Sequence, residues 1–162
     1  MNPSEFVAAA TTAALKVSNV SGLLPGITVA QAALESAWGN SWLAREAHNY
    51  FGIKAHGTLA WIELPTEEVV RGSRLTVRAR FARFGSMEQC FHHRDQLIRS
   101  SKYYQAACAV ANQAEAFVRA LAAHWATDPN YTSKVLAIYS KHGMNLVDKQ
   151  FLAGGLPPQV PA

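Results

Sequence analysis

A stretch of alternating apolar and polar residues lies between two regions of helical character, and it limits the folds open to this chain. Residues 75–81 alternate with period two, and the apolar pairs of 61–64 and 69–70 precede them. Arg71, Gly72 and Ser73 form the expected turn. This pattern predicts a single β-hairpin with its arginines facing water. Leu75, Val77, Ala79 and Phe81 are then expected to face protein.

The remaining chain is predicted to be helical, up to about residue 57 and again from residue 86. Several helix starts are indicated by capping patterns: Thr28 with Gln31, Ser41, Ser86 with Gln89, Asn112 with Glu115, and Asp128 before Pro129. One helix is predicted over 29–38, ending at Gly39. We therefore predict an α+β, mostly α, domain over 1–150 with a small β-hairpin lobe. A Gly/Pro-rich extended tail is expected over 151–162.

Composition excludes several classes of protein. Hydrophobic residues make up 49 % and charged residues 16 %, which argues against disorder. No apolar run approaches the roughly 20 residues of a membrane span, so membrane insertion is not expected. The acidic N-terminal segment does not resemble a secretory leader, and none is expected.

The net charge of +4 is concentrated in arginines between residues 71 and 83. A solvated strand face accounts for them. Nucleic-acid binding is an alternative supported by charge alone, and nucleic acid is not expected as a partner.

The sequence contains no motif typical of a metal or cofactor site. The six histidines form no His-Glu-x-x-His arrangement, and no glycine-rich phosphate loop occurs. We expect no metal and no cofactor. Cys90 and Cys108 are expected in helices, either as buried thiols or as a disulfide.

Most of the 11 carboxylates are accounted for by local structure. Caps or first turns explain Glu88, Glu115 and Asp128; chain ends explain Glu5 and Asp148; exposed helical positions explain Glu46 and Asp95. Four remain as candidates for chemistry: Glu35, Glu63, Glu67 and Glu68.

Glu35 differs from the others because its helix is otherwise almost entirely apolar or small. Ala32 and Trp38, three residues to either side, share its face. Desolvation and the C-terminal half of a helix both raise the pKa of a carboxyl group. Such a group holds a proton near neutrality, as a general acid must. The alternative is a surface glutamate beside a core stripe.

Longer blocks carry a family resemblance. Residues 30–39 read AQAALESAWG and 48–55 read HNYFGIKA; PTEE, FARF and ATDPNY follow at 65–68, 81–84 and 126–131. In this order the blocks resemble the glucosaminidase domains of glycoside hydrolase family 73. The resemblance implies a lysozyme-like fold. It also implies cleavage of the β-1,4 bond after N-acetylglucosamine in peptidoglycan.

The resemblance also implies roles for individual residues. Glu35 matches the catalytic acid, Glu68 the acid of the β-lobe, and Tyr131 an aromatic hydroxyl near the cleavage site. Glu67 is the alternative to Glu68, because neighbours on a strand point to opposite faces and only one can face the cleft.

Four further residues are expected to bind the glycan. Asn49 and Phe51 match a segment that lines the family's groove. Trp125 stands where many relatives have tyrosine, and it keeps a flat ring for sugar stacking. Trp38 is expected in the groove as well.

Several alternatives stay open at this stage. A lytic transglycosylase or a muramidase would use Glu35 on the same fold, and a non-catalytic peptidoglycan-binding module would not use it. Inverting, retaining and substrate-assisted mechanisms all fit the residues. The expected partners are peptidoglycan glycan strands, reached by a monomer made in the cytoplasm. Delivery by a holin or a secretion machine fits a phage endolysin or an effector, and an excised catalytic domain is the third reading.

Overall fold

The computed structural model describes residues 1–154. A helical body is interrupted by one antiparallel hairpin. Its helices are α1 (Pro3–Ser21), α2 (Pro25–Glu35), α3 (Trp42–Ala47), α4 (Met87–Ser100), α5 (Gln105–Ala109), α6 (Ala114–Trp125), α7 (Tyr131–Lys141) and α8 (Met144–Leu152). A 3-10 turn, Lys102–Tyr104, precedes α5, and the strands are β1 (Trp61–Val70) and β2 (Ser73–Ala82). The predicted α+β, mostly α, lysozyme-like class is confirmed.

The helix α2 lies at the centre of the body and packs against α1, α7 and α8. Nine of its eleven residues are buried, which is the physical consequence of its apolar and small composition. Phe6, Leu23, Phe91, Phe117 and Leu121 are among the fully buried side chains around it. The core therefore holds α2 in place along nearly its whole length.

The hairpin follows the predicted pattern with one correction. Its loop is Arg71-Gly72, and both residues have positive φ, as a two-residue hairpin turn demands. Leu75, expected to face protein, is 47 % exposed, because it lies near the tip of a sheet of only two strands. Only its base is anchored, through buried Phe81 and Ala82.

Two predicted caps are wrong. Thr28 lies inside α2, where its hydroxyl donates to the Leu24 carbonyl, and α6 begins after Gln113 without a side-chain cap. Ser41 and Ser86 do cap α3 and α4 as predicted. Helix α7 begins at Tyr131 rather than at Pro129, and the Asp128 carboxylate accepts from the Asn130 N–H at 2.8 Å.

The end of the domain also differs from the prediction. Helix α8 continues to Leu152, because Phe151 packs against the core, so 151–152 are not part of an extended tail. Residues 153–154 form a turn, and the rest of the predicted tail, 155–162, lies outside the described residues. No helix between residues 1 and 154 is both long enough and apolar enough to cross a bilayer.

Candidate active site

The N-terminus of α2 is fixed by a contact that is remote in sequence. Its capping residue, Leu24, has no polar side chain. Instead Asp148 of α8 accepts the Gly26 N–H at 2.6 Å. A Cβ at Gly26 would lie 2.5 Å from the Met144 carbonyl oxygen, so only glycine permits this approach. Asp148 was assigned to a chain end on sequence, but it is a buried anchor with a pKa raised by burial to about 6.

The other end of α2 presents Glu35. The helix ends at this residue, three positions earlier than predicted, because Ala37 and Trp38 adopt positive φ. Ser36 stabilises the turn: its hydroxyl donates to the Ala32 carbonyl at 2.5 Å and accepts the Gly39 N–H at 2.8 Å. Glu35 therefore stands on the last turn of a rigid helix, next to a sharp change of chain direction.

The carboxyl group of Glu35 is largely removed from water. Its Oε1 accepts the Trp125 indole N–H at 2.8 Å, and its buried Oε2 has no hydrogen bond within the described residues. Desolvation raises the pKa of Glu35 to about 7, against smaller lowering effects of Trp125, Arg94 and Tyr131. A group with this pKa is partly protonated at neutral pH and can give up its proton there.

Two hollows share Glu35 and Trp125 in their lining. One, of about 390 Å³, is also lined by Thr127, Asp128 and Tyr131. The other, of about 240 Å³, is also lined by Phe51, Ile53, Lys54, His56, Leu97 and Tyr104. An elongated ligand that occupied both hollows would therefore contact the Glu35–Trp125 pair.

Tyr131 is buried at the first turn of α7, beside Glu35. Its hydroxyl oxygen accepts from Gln31 Nε2 at 2.7 Å. Burial, followed by the nearby Glu35 charge, raises the pKa of Tyr131 well above its usual value. The phenol is therefore neutral and keeps its proton for donation.

The hairpin carboxylates have different neighbours. Glu68 pairs with Lys54 at 3.4 Å, and Lys54 lines the same hollow as Glu35. Glu67 lies 3.9 Å from Arg74 on the neighbouring strand, and its side chain is 71 % exposed. Glu63 pairs with Arg78 and Arg80, which lower its pKa. Among these acids Glu68 is the one linked to the cleft, through Lys54.

The predicted glycan-binding residues fall into two groups. Phe51 lines a hollow and meets Trp125 edge-on, with ring centroids 6.2 Å apart. Asn49 is buried, and its amide bonds the Ile53 and Ala82 carbonyls and the Phe51 and Ile53 N–H groups. It braces the loop beneath the cleft rather than lining it. Trp38 packs against Phe6 and His142 and lines neither hollow.

Two charged residues at the site escaped sequence reasoning. Asp95, expected to be exposed, is buried in an ion pair with the fully buried Arg94, at 2.6 Å. Their spacing with Phe91 and Ile98 is the i, i+3, i+4, i+7 pattern of one helix face. That pattern was the available signal, because it places both charges on the stripe that faces the core.

Cys90 and Cys108 are free thiols, and burial raises the pKa of Cys90 to about 12. Within residues 1–154 no three His, Cys, Asp or Glu side chains come together as metal ligands.

A helical body with one hairpin, and a desolvated glutamic acid over an open cleft, define a glycosidase domain of lysozyme type. Residues 11–144 match the glucosaminidase family model, described as mannosyl-glycoprotein endo-beta-N-acetylglucosaminidase. The chain belongs to this family, and the resemblance to glycoside hydrolase family 73 is confirmed.

Individual relatives agree with this assignment. The exo-glucosaminidase LytG of Bacillus subtilis is 36 % identical over 132 residues, 78 % of this chain and 47 % of that protein. A probable N-acetylmuramidase of Lactococcus lactis is 31 % identical over 156 residues, 92 % of this chain and 36 % of that protein. The catalytic domain of the autolysin Auto from Listeria monocytogenes superposes with a TM-score of 0.81 at 27 % identity, covering 89 % of this chain and 86 % of that one. The chain thus spans less than half the length of these two curated relatives.

Proposed function

We propose that this domain hydrolyses the glycan of bacterial peptidoglycan, cleaving the β-1,4 bond after N-acetylglucosamine. The observation that carries the proposal is Glu35, a carboxyl group with a pKa near 7 between two hollows of one cleft. A surface glutamate beside a core stripe would have neither the desolvation nor the indole contact.

The reaction begins with proton transfer from Glu35 to the glycosidic oxygen. As the bond breaks, the sugar develops oxocarbenium character and needs an anion or an oxygen atom nearby. Tyr131 stands beside Glu35 with its phenolic proton intact. Glu68 is the proposed anion of the β-lobe, where it would activate water, attack the sugar directly or support the substrate's own acetamido group.

Lys54 supports Glu68 rather than Glu67 as that anion. The Lys54 ammonium group lies on the cleft and holds the Glu68 carboxylate at 3.4 Å. Since the Glu68 side chain is 42 % exposed, the ion pair is weak enough to exchange for a sugar contact.

Peptidoglycan as substrate is supported by the relatives. One is named for glucosaminidase activity, another for N-acetylmuramidase activity, and a third is an autolysin. Peptidoglycan is the polymer in which N-acetylglucosamine and N-acetylmuramic acid alternate. The proposed place of action is the cell wall, reached by phage-mediated or secretion-mediated release.

Muropeptide analysis of digested sacculi tests the specificity. A glucosaminidase leaves N-acetylglucosamine at the new reducing ends, a muramidase leaves N-acetylmuramic acid, and a lytic transglycosylase leaves an anhydro sugar. We expect the first product. Either of the others would reject the assigned bond or reaction while keeping Glu35 as the acid.

Binding without cleavage is the reading from another class of function. It predicts that wild type and Glu35→Gln bind sacculi equally and that neither releases reducing ends. The proposed hydrolase predicts equal binding, with release by the wild type alone.

A further inference from the structure

A chain of buried polar groups lies behind Tyr131 and begins at Arg94. This side chain is fully buried on α4. One guanidinium nitrogen donates to Thr28 Oγ1 at 2.8 Å and to Asp95 Oδ1 at 2.6 Å. The other donates to Gln31 Oε1. A guanidinium group can only donate, so Gln31 must present its oxygen to Arg94.

The orientation of the Gln31 amide determines what reaches Tyr131. With its oxygen held by Arg94, Gln31 can offer Tyr131 only its NH₂ group, which donates to the hydroxyl oxygen at 2.7 Å. The single phenolic proton must then point away from Gln31. Glu35 lines the same hollow as Tyr131, and Tyr131 lowers its pKa.

The same arrangement explains why a charged pair is retained in the core. Burying an arginine costs several kcal/mol of desolvation, and an apolar residue of similar volume is often equally stable there. Asp95 is held in turn by the Ser21 hydroxyl at 2.5 Å. A gain in stability therefore does not account for the buried network around Arg94. Orientation of the Tyr131 hydroxyl does account for it.

We propose that Arg94 is a positioning residue that, through Gln31, directs the hydroxyl proton of Tyr131 toward Glu35 and the cleft. This inference rests on the proposed function, because the oriented proton matters only if a reaction occurs at Glu35. The other titratable or charged groups around Glu35 include Cys90 on α4 and Tyr104 in the 3-10 turn. Lys54 and His56 line one of its two hollows, and Asp128 and Lys134 line the other.

The decisive variant is Gln31→Glu. The new carboxylate has nearly the same shape and pairs with Arg94, so the protein is expected to fold. Both of its oxygens accept hydrogen bonds, so the Tyr131 proton turns inward. On soluble glycan chains we expect kcat to fall about 10²-fold, a typical loss for one oriented donor, with KM little changed.

A double variant separates orientation from general damage. Tyr131→Phe is expected to match Gln31→Glu in kcat, and Gln31→Glu combined with Tyr131→Phe should lose no more than either alone. Arg94→Lys keeps the positive charge but loses the paired guanidinium nitrogens that bond Gln31 and Asp95. It should therefore also lower kcat. Gln96→Glu places the same charge change on the exposed face of α4 and should retain wild-type kcat.

Three results would overturn the inference: a folded Gln31→Glu with wild-type kcat, losses that multiply in the double variant, or a Gln31→Glu that does not fold because Arg94 fails to accept the carboxylate. Failure of the proposed function looks different, since Glu35→Gln would then retain activity in the same assay.

Discussion

The helical body and the β-hairpin each carry a glutamate at the proposed site, and they treat it in opposite ways. Glu35 ends a buried helix, and its carboxyl group is desolvated against Trp125. Glu68 lies on an exposed strand and pairs with Lys54 in contact with water. The buried environment thus raises the pKa of one glutamate, whereas the other lies partly exposed beside a lysine.

The two regions also differ in how firmly they hold their residues. Helix α2 is packed on three sides and anchored at its start by Asp148. The hairpin is attached at its base, while Val69 near its tip is 71 % exposed. An isolated two-stranded hairpin is marginal in water, so its geometry depends on that base. The body therefore fixes the position of Glu35, whereas the position of Glu68 depends on how the base of the hairpin is held.

The largest expected effect comes from removing the proton donor of the body. Glu35→Gln keeps the shape and the acceptor for Trp125 but has no acidic proton. We expect a loss of about 10³-fold or more in the release of reducing ends from sacculi, the upper part of the range for general acid catalysis.

Glu46→Gln is the matched control for this change, because Glu46 is exposed on α3. It should behave as wild type. Equal activity of Glu35→Gln and Glu46→Gln would contradict the proposed role of Glu35, since the buried and the exposed glutamate would then be equivalent.

The next effect is on stability. The pKa of Glu35 is raised in the folded state, from 4.5 to about 7. Its stabilising contribution is therefore complete below pH 4.5 and is lost as the pH rises to about 7. The loss amounts to at most about 3.4 kcal/mol, since a pKa change of about 2.5 is worth roughly 1.36 kcal/mol per pKa unit.

Urea unfolding of wild type and Glu35→Gln across pH 4–9 measures the contribution of Glu35 to the free energy of unfolding. The difference between them cancels the parallel contribution of Asp148, whose pKa is also raised. We expect the free energy of unfolding of the variant to rise relative to that of wild type between pH 4.5 and 7 and to keep this gain above pH 7. A difference independent of pH would show that burial does not perturb Glu35.

A smaller effect is expected on the hairpin. Glu68→Gln should weaken hydrolysis roughly tenfold, about the value of one charged hydrogen bond. Glu67→Gln should change it less than twofold, because the partner of Glu67 is Arg74 on the hairpin itself. Rates on sacculi with both variants decide between the neighbours, and the reverse order would move the β-lobe acid to Glu67.

The smallest expected effect concerns the indole contact. Trp125→Phe keeps a ring but removes the N–H that lowers the pKa of Glu35. One hydrogen bond of about 1 kcal/mol corresponds to a shift of roughly 0.7 unit, so the alkaline limb of the activity profile should move upward. Trp61→Phe, on the hairpin, should leave that limb in place.

Sequence reasoning succeeded where the signal is local. Alternation and a turn predict the hairpin, and the apolar residues around Glu35 within one helix indicate the desolvation that raises its pKa. The cap of α2 was not, because Asp148 stands 122 residues away in the chain. No pattern around Thr28 could reveal that a different helix supplies the acceptor.

The polar residues behind the site were missed for a related reason. Arg94 and Asp95 are charged, and charged helical residues are usually exposed. Their burial depends on Thr28 and Gln31, which α2 brings to them. Periodicity indicates the helix face on which such residues lie, but it does not show that another helix supplies hydrogen-bond partners for them.

Titration of the Glu35 carboxyl by ¹³C NMR in the wild-type protein, with Glu35→Gln to assign the signal, measures the pKa on which the proposed role of Glu35 depends. We expect a midpoint near pH 7. A midpoint near 4.5, as in an exposed glutamate, would contradict it.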